Sequence, residues 1–242
     1  MTGAASGIGL ATASMLARGG AKVAINFLPD DPRGGEAVAR LRGAGLDAVE
    51  APGRIGVPGE EEAVVRIAHE RLGRLDLLVN NAGTPGVREA VTPARLDAIT
   101  DELWEDVLST NLVGLFRCTR AAVPYLRAGG QGAVVNVASI AGLTASGSSM
   151  AYGASKAGVV ALTRHLARAL GPAIRVNAVA PGAVDSAWQI EWTEEQRRQS
   201  IEGAALRRRC TTDDIAGAIL FLGCAAAMVT GQTLVVDGGL TL

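Results

Sequence analysis

Lysine is almost missing from this chain. Of its 23 basic residues only Lys22 and Lys156 are lysine, and every other cation is written as arginine. An excess of one charge is missing too: 23 basic against 24 acidic residues leave a net charge of −1. That balance argues against nucleic acid or an anionic membrane as the main partner, since both favour a strongly basic face. The three cysteines, Cys118, Cys210 and Cys224, are odd in number and far apart, which excludes a disulfide framework and gives no zinc spacing. No metal site is expected. The longest apolar run, which ends at Val229, falls short of the roughly 18 residues that span a bilayer. No basic-then-apolar leader opens the chain, so export is not expected. What is present, 48% hydrophobic and 19% charged residues, suffices for a core and carries too little charge for disorder. A length of 242 residues fits one α/β domain over 1–242, and the expected setting is the cytoplasm.

Apolar runs of strand length alternate with longer segments of helical period. Strands are expected at Lys22–Phe27, Leu46–Ala51, Leu75–Asn80, Ala133–Ala138, Ile174–Ala180 and Thr233–Val236. Helices are expected near Ile8–Arg18, Gly34–Ala44, Glu60–Leu72, Asp101–Leu126, Tyr152–Leu170 and Thr212–Leu222. Runs such as Val-Val-Asn-Val read as strands buried on both faces, so the pattern predicts a doubly wound parallel sheet, a Rossmann arrangement, covered by helices on both sides. The pattern breaks at the start: Met1-Thr2-Gly3 opens directly in a glycine-rich turn. In a nucleotide-binding fold that turn follows the central strand. The expectation is therefore a truncated first strand, a natural chain that begins upstream, and Met1 at a strand-end position.

Three constellations carry chemistry. Thr2-Gly3-Ala4-Ala5-Ser6-Gly7-Ile8-Gly9 leads into a helix, where glycines admit a pyrophosphate and the helix N-terminus offers N–H donors; in a chain of 31 glycines a chance turn is the competing reading. Asn80-Asn81-Ala82-Gly83 ends a buried strand, where open α/β sheets bind ligands, although a plain strand-to-loop turn looks the same. Tyr152 and Lys156 stand four residues apart on one helical face, with Ser139 thirteen residues upstream at a strand end. A free tyrosine with a pKa near ~10 is a poor acid–base group at neutral pH. A cation ~4 Å away at an effective dielectric of ~20 favours the phenolate by roughly 4 kcal/mol, so the spacing predicts a lowered Tyr152 pKa. Lysine in a chain of arginines reads as a chemical requirement, because it is a compact donor. Asn111 falls inside a helix, where amides are poor formers, and a water bridging toward Lys156 is one way to satisfy it; a bond to its own backbone is the other.

In order and spacing, these motifs together with Pro181-Gly182 and Val236-Asp237-Gly238-Gly239 resemble the short-chain dehydrogenase/reductase family in its shorter, single-domain branch, 3-oxoacyl reductases included. The resemblance covers nearly the whole chain. It implies hydride transfer between a nicotinamide cofactor and a carbonyl/secondary alcohol pair. Tyr152 would be the general acid or base, Lys156 would lower its pKa and hold the ribose, Ser139 would polarise the carbonyl and Asn111 would anchor a relay water. It further implies that Gly3, Ser6, Gly7, Ile8 and Gly9 surround the pyrophosphate, that Asn81, Ala82 and Gly83 flank the adenine ribose, and that Pro181, Gly182, Val184 and Ser186 meet the nicotinamide. Ser186 stands where the family usually has threonine.

Two departures bear on the cofactor. Phe27 occupies the position where NAD-preferring relatives place an acid, which leans toward NADP over NAD, although no basic residue stands at Ser6 and Asp30 and Asp31 crowd Arg33. Arg54 stands in Gly53-Arg54-Ile55 where relatives carry an adenine-binding Asp, and it cannot accept a hydrogen bond; stacking on the ring or pointing away are its two expected arrangements. A substrate lid is expected around 183–208, its Trp188, Ile190 and Trp192 suiting a partly apolar substrate or packing on the body. Arg207-Arg208-Arg209 reads as a solvated surface, or as a contact for an acidic acyl carrier bearing a thioester. His69 and His165 are assigned surface or packing roles. The resemblance implies a homo-oligomer, a tetramer or dimer, built on the two long helices and the C-terminal strand. A longer-branch epimerase is rejected because it needs a further substrate domain. A non-catalytic nucleotide-binding scaffold or sensor is the alternative reading.

Overall fold

The computed structural model describes residues 1–92, 94–186 and 191–242. Strands β1 (Val23–Phe27) and β2 (Ala48–Pro52) pair in parallel, as do β3 (Leu77–Asn80), β4 (Gly132–Val137), β5 (Ile174–Pro181) and β8 (Thr233–Val236), in that spatial order. Residues Met1–Ala4 lie between the two sets. Thr2 N donates to Val79 O at 3.0 Å, Asn26 N to Met1 O at 3.1 Å and Ala4 N to Asn26 O at 2.8 Å. The sheet thus runs β2-β1, this short segment, then β3-β4-β5-β8, and chain order reverses about Met1–Ala4. A crevice for ligands opens at such a reversal, outside the C-terminal strand ends.

Both faces are covered, for the reason the apolar runs suggested. Leu78, Val134 and Val176 point to one face, against Cys118, Ala122 and Leu126 of α5 (Leu115–Ala128) and Leu166 of α6 (Met150–Leu170). Their neighbours Val79, Val135 and Val179 point to the other, against Ile215 and Ile219 of α8 (Thr212–Leu220). On the same side α1 (Gly7–Arg18) and α2 (Pro32–Gly43) close over Val23 and Ile25. α3 (Glu60–Leu72) covers the opposite face of β1 and β2 through Val64.

The expected helix over Asp101–Leu126 is three pieces: α4 (Asp101–Leu108), a π turn over Ser109–Gly114 and α5. Close approach explains the wide turn, since a Cβ on Gly114 would stand 2.9 Å from the Gly56 nitrogen. α6 starts two residues before the expected Tyr152, because the buried Ser149 hydroxyl accepts from Tyr152 N at 3.1 Å and caps the helix. Two short strands not foreseen in the sequence, β6 (Val184–Asp185) and β7 (Cys210–Thr211), pair in parallel beyond the end of β5. α7 (Glu194–Glu202) lies between them in the chain, opened by a Thr193/Gln196 capping box. Trp188 and Ile190, named for the lid, lie outside the described residues.

Candidate active site

The glycine turn is held in shape by the Thr2 side chain and by the neighbouring Asn81 and Asn26. Thr2 Oγ1 accepts from both Asn81 N (2.9 Å) and Ala82 N (3.0 Å), and Asn81 Nδ2 returns bonds to Thr2 O (3.0 Å) and Gly3 O (2.8 Å). Asn26 completes the frame: its Oδ1 accepts from Gly3 N at 3.1 Å, while its Nδ2 reaches Ala51 O and Gly53 O. Gly9 has no room for a side chain, since a Cβ there would lie 2.3 Å from Gly3 O. Gly7 adopts φ +56° at the start of α1, and Ser6, at the N-cap, makes no side-chain cap bond. A helix N-terminus behind a bare backbone cradle suits the pyrophosphate of a dinucleotide. Ser186 stands close to Gly7, and a cavity of about 420 Å³ runs from these two residues past Leu10 and Ser14 to Arg18 and Arg40. A larger cavity, about 740 Å³, lies between α6 and the start of β8, and none of the predicted site residues borders it.

At the other end of the crevice the second group of residues converges. Tyr152 and Lys156 share a face of α6, with the Lys156 ammonium 5.6 Å from the centre of the Tyr152 ring. Lys156 is only 4% exposed and donates to Val137 O, at the end of β4, at 2.9 Å. Ser139 follows two residues later; its Oγ accepts from Ala141 N at 3.1 Å, and it hydrogen-bonds with Tyr152. The turn after Ser139 sits directly on α6, because Gly142 lets the chain come so near that a Cβ would stand 2.5 Å from the Lys156 carbonyl carbon. Asn111, fully buried in the π turn, accepts from Thr84 N (2.8 Å) and donates to Thr84 O (2.9 Å) and Ser155 Oγ (3.1 Å). Gly83 lies between: a Cβ there would be 3.1 Å from Asn111 Oδ1 and 3.6 Å from Lys156 Nζ.

The lowered tyrosine pKa expected from the spacing is corrected by this geometry. Burial pushes the Tyr152 phenol up to about 12, and hydrogen bonding with Ser139 opposes it only in part. The ammonium lies against the ring and spends a donor on Val137 O. Burial also lowers Lys156 itself to about 8. The Asn111 side chain is satisfied by direct bonds to Thr84 and Ser155 and not by its own backbone.

The adenosine end is different in character. Phe27 turns its ring onto α2, where a Cβ on Gly34 would stand 2.0 Å from it. Arg33 is forked onto Asp31 (2.9 and 2.8 Å). Arg54, expected to stack on the ring or to point away, pairs its Nη2 with Asp30 at 3.0 Å, joining the loops after β1 and β2. Pro181-Gly182 close the crevice from β5, with Asp237 packed so tightly that a Cβ on Gly182 would lie 2.6 Å from the Asp237 Cβ. Val184 and Ser186 follow through β6.

The arginine run read as solvated surface divides. Arg208 pairs with Asp214 at 2.6 Å, Arg207 bonds to Glu202 O, and Arg209 is buried against the ring of Trp192. His69 stacks on Tyr125, a packing role as expected. Sequence reasoning overlooked Ser155, whose Oγ links Asn111 to Tyr152 O (2.7 Å); its signal was a serine one turn from a candidate asparagine's partner helix. It also overlooked Thr84 and the buried Thr119, Asn136 and Thr163, joined with Asn80 by bonds of 2.9–3.0 Å beneath the crevice. No helix among the described residues is long and apolar enough to cross a membrane.

A family profile described as enoyl-(acyl carrier protein) reductase matches residues 3–241. The chain is 40% identical over 241 residues to ketoacyl reductase 2 of the granaticin polyketide synthase of Streptomyces violaceoruber, covering 99% of this chain and 94% of the relative. It is 34% identical to a 3-oxoacyl-(acyl-carrier-protein) reductase of Staphylococcus aureus over 99% of this chain and 96% of that one. A solved short-chain dehydrogenase/reductase from Burkholderia xenovorans superposes with a TM-score of 0.90 at 38% identity, covering 99% and 96% of the two chains. A short-chain alcohol dehydrogenase from Sinorhizobium meliloti gives 0.89 at 36%, over 99% and 94%.

Proposed function

The chain belongs to the short-chain dehydrogenase/reductase family, and we propose that this NAD(P)-dependent oxidoreductase reduces a 3-oxoacyl thioester to the 3-hydroxy compound, with NADPH as the preferred cofactor. The observation that carries the reading is that Lys156 and Ser139 both meet Tyr152, and Lys156 and Asn111 both meet Gly83, at the far end of a crevice whose near end is a backbone cradle suited to pyrophosphate. The relatives named for ketoacyl and 3-oxoacyl reduction supply the substrate class. The bound nicotinamide supplies or accepts the hydride.

Each residue of this chain then has a task. Gly3, Ser6, Gly7, Ile8 and Gly9 hold the pyrophosphate and Asn81 and Ala82 the adenine ribose, while Gly83, expected with them, passes between Asn111 and Lys156. Pro181, Gly182, Val184 and Ser186 receive the nicotinamide. Ser139 accepts from Ala141 N and bonds with Tyr152, and its hydroxyl proton would turn to polarise the carbonyl oxygen when substrate enters. Tyr152, with a pKa near 12, is protonated at neutral pH and delivers its proton to that oxygen as negative charge develops. Lys156 is mostly charged below about 8 and holds the ribose while favouring the phenolate that Tyr152 leaves behind. Asn111 keeps Thr84 and Ser155, hence the Tyr152 backbone, in register, and anchors the relay by which Tyr152 regains its proton.

NADPH is preferred because no carboxylate caps β1 at Phe27, while Arg33 and Arg54 lie nearby in exposed pairs. Such pairs are worth about 0–1 kcal/mol, so exchange of a carboxylate for a 2′-phosphate costs little. Segment 183–208 is the substrate lid of the single domain. The protein works in the cytoplasm as a homo-oligomer through α5, α6 and β8, whose Phe116, Met150, Leu234 and Val235 are exposed. The test is NADPH consumption by the purified chain with an acetoacetyl thioester, NADH in parallel. Turnover that prefers NADPH and vanishes in Tyr152→Phe is expected; turnover unchanged by that substitution overturns the mechanism, and NADH preference overturns the cofactor assignment.

A further inference from the structure

Arg209 is the most deeply buried arginine for which the fold gives no stability reason. Its side chain is 5% exposed. It donates from Nη2 to Val184 O at 2.9 Å, sets Nη1 3.1 Å from Asp185 Oδ1, and lays its guanidinium 4.9 Å from the centre of the Trp192 ring. Nε and Nη1 make no hydrogen bond among the described residues. Burial lowers its pKa, and the neighbouring Arg197 adds to that. A buried guanidinium with unspent donors costs stability, and replacing such a charge by an apolar chain of similar volume is often neutral or favourable. Loss of Arg209 would strand no buried charge either, because its partner Asp185 is 58% exposed.

The places it grips explain its retention better. Val184 and Asp185 form β6, which leaves Pro181-Gly182 at the nicotinamide end of the crevice and pairs with β7 immediately after Arg209. Trp192 precedes α7 and adjoins Glu191, whose N–H donates to Arg88 O at 2.9 Å, in the loop that follows Gly83 and Thr84 and whose Val87 packs on the same apolar cluster as Tyr152. One guanidinium therefore ties the floor strand beside the nicotinamide position to the segment anchored across the substrate mouth.

We propose that Arg209 is a positioning residue for the substrate: acting through Val184 and Trp192, it fixes α7 and the Glu191 anchor over the mouth and so sets KM, without touching the reacting atoms. This rests on the reading of the site as a ketone reductase. The signature is a split between stability and substrate binding, since a merely structural residue would move both together.

The test compares Arg209→Met, Arg209→Lys and Trp192→Phe in the full chain. Thermal midpoint, NADPH affinity, trypsin cleavage after Arg197 and Arg198 in α7, and KM and kcat for an acetoacetyl thioester are measured. Arg209→Met is expected to keep its midpoint and hold NADPH within about twofold, while α7 is cut roughly tenfold faster and KM rises roughly tenfold with kcat within about threefold. Arg209→Lys, which keeps charge but not the planar fork, and Trp192→Phe fall between. Cleavage at the wild-type rate, or a fall in kcat at constant KM, overturns the proposal. Absence of ketone reduction by the wild type would instead defeat the functional reading, and the cleavage rates would still decide the role of Arg209.

Discussion

The two ends of the crevice hold their polar groups by opposite means. At the catalytic end Lys156, Asn111 and Ser155 are buried, and each is tied by short, directional bonds to backbone or to one another. At the adenosine end Arg33 and Arg54 are 57% and 44% exposed and held by carboxylates at the surface. Desolvated groups are expensive to leave unpaired, whereas surface pairs exchange partners cheaply. The groups around Tyr152 are therefore fixed rigidly, while those proposed to meet the adenosine are held by contacts that water already weakens.

Substitutions sharpen the contrast, beginning where it is steepest. Tyr152→Phe is expected to cut turnover by roughly 10²–10⁴-fold while leaving NADPH affinity nearly unchanged, because only the proton donor is lost; steady-state rates beside a binding titration check this. In the oxidation direction Tyr152 must first lose its proton, so kcat/KM of the wild type is expected to climb with pH between 7 and about 9. A flat profile there would contradict the raised phenol pKa.

Lys156 offers the second break. Its folded pKa of about 8 lies below the ordinary 10.5, so between those values the unfolded chain binds more protons than the native one and stability rises with pH. The rise amounts to roughly 3 kcal/mol when complete, and Lys156→Met removes it. Denaturant unfolding at pH 7.5 and 9.5 reads the difference; parallel curves for the two proteins would show that burial does not hold the lysine down. Asn111→Ala comes next, with a loss of about 1–3 kcal/mol in unfolding free energy, since it orphans both Thr84 backbone groups. The smallest effect belongs to the adenosine end. Arg54→Ala is expected to leave stability within about 0.5 kcal/mol and to weaken NADPH, not NADH, by roughly two- to fivefold, less in high salt.

The sequence made the sheet, its helices and the catalytic cluster readable because each rests on local signals. Buried runs of valine mark strands, i,i+4 spacing joins Tyr152 to Lys156, and a Ser at a strand end places Ser139. Features that depend on distant partners were not legible. The π turn at Ser109–Gly114 keeps an apolar period like any helix, and only contact with Gly56 widens it. Two-residue strands such as β6 and β7 are too short to leave a pattern. Arg209 looked like its neighbours Arg207 and Arg208, because what buries it is Trp192, seventeen positions earlier in the chain. The direction of the Tyr152 shift was missed for a related reason: spacing reveals a nearby cation but not how much water the fold removes.

The Thr2 hydroxyl, which accepts from both Asn81 N and Ala82 N, has a mechanical consequence. Together with the bonds that Asn81 returns, it welds two loops 79 residues apart into one hinge-free plate. That plate cannot adapt piecemeal to a misfitting dinucleotide: its amides should exchange hydrogen with solvent as a unit, and a ligand that loosens one loop must loosen the other.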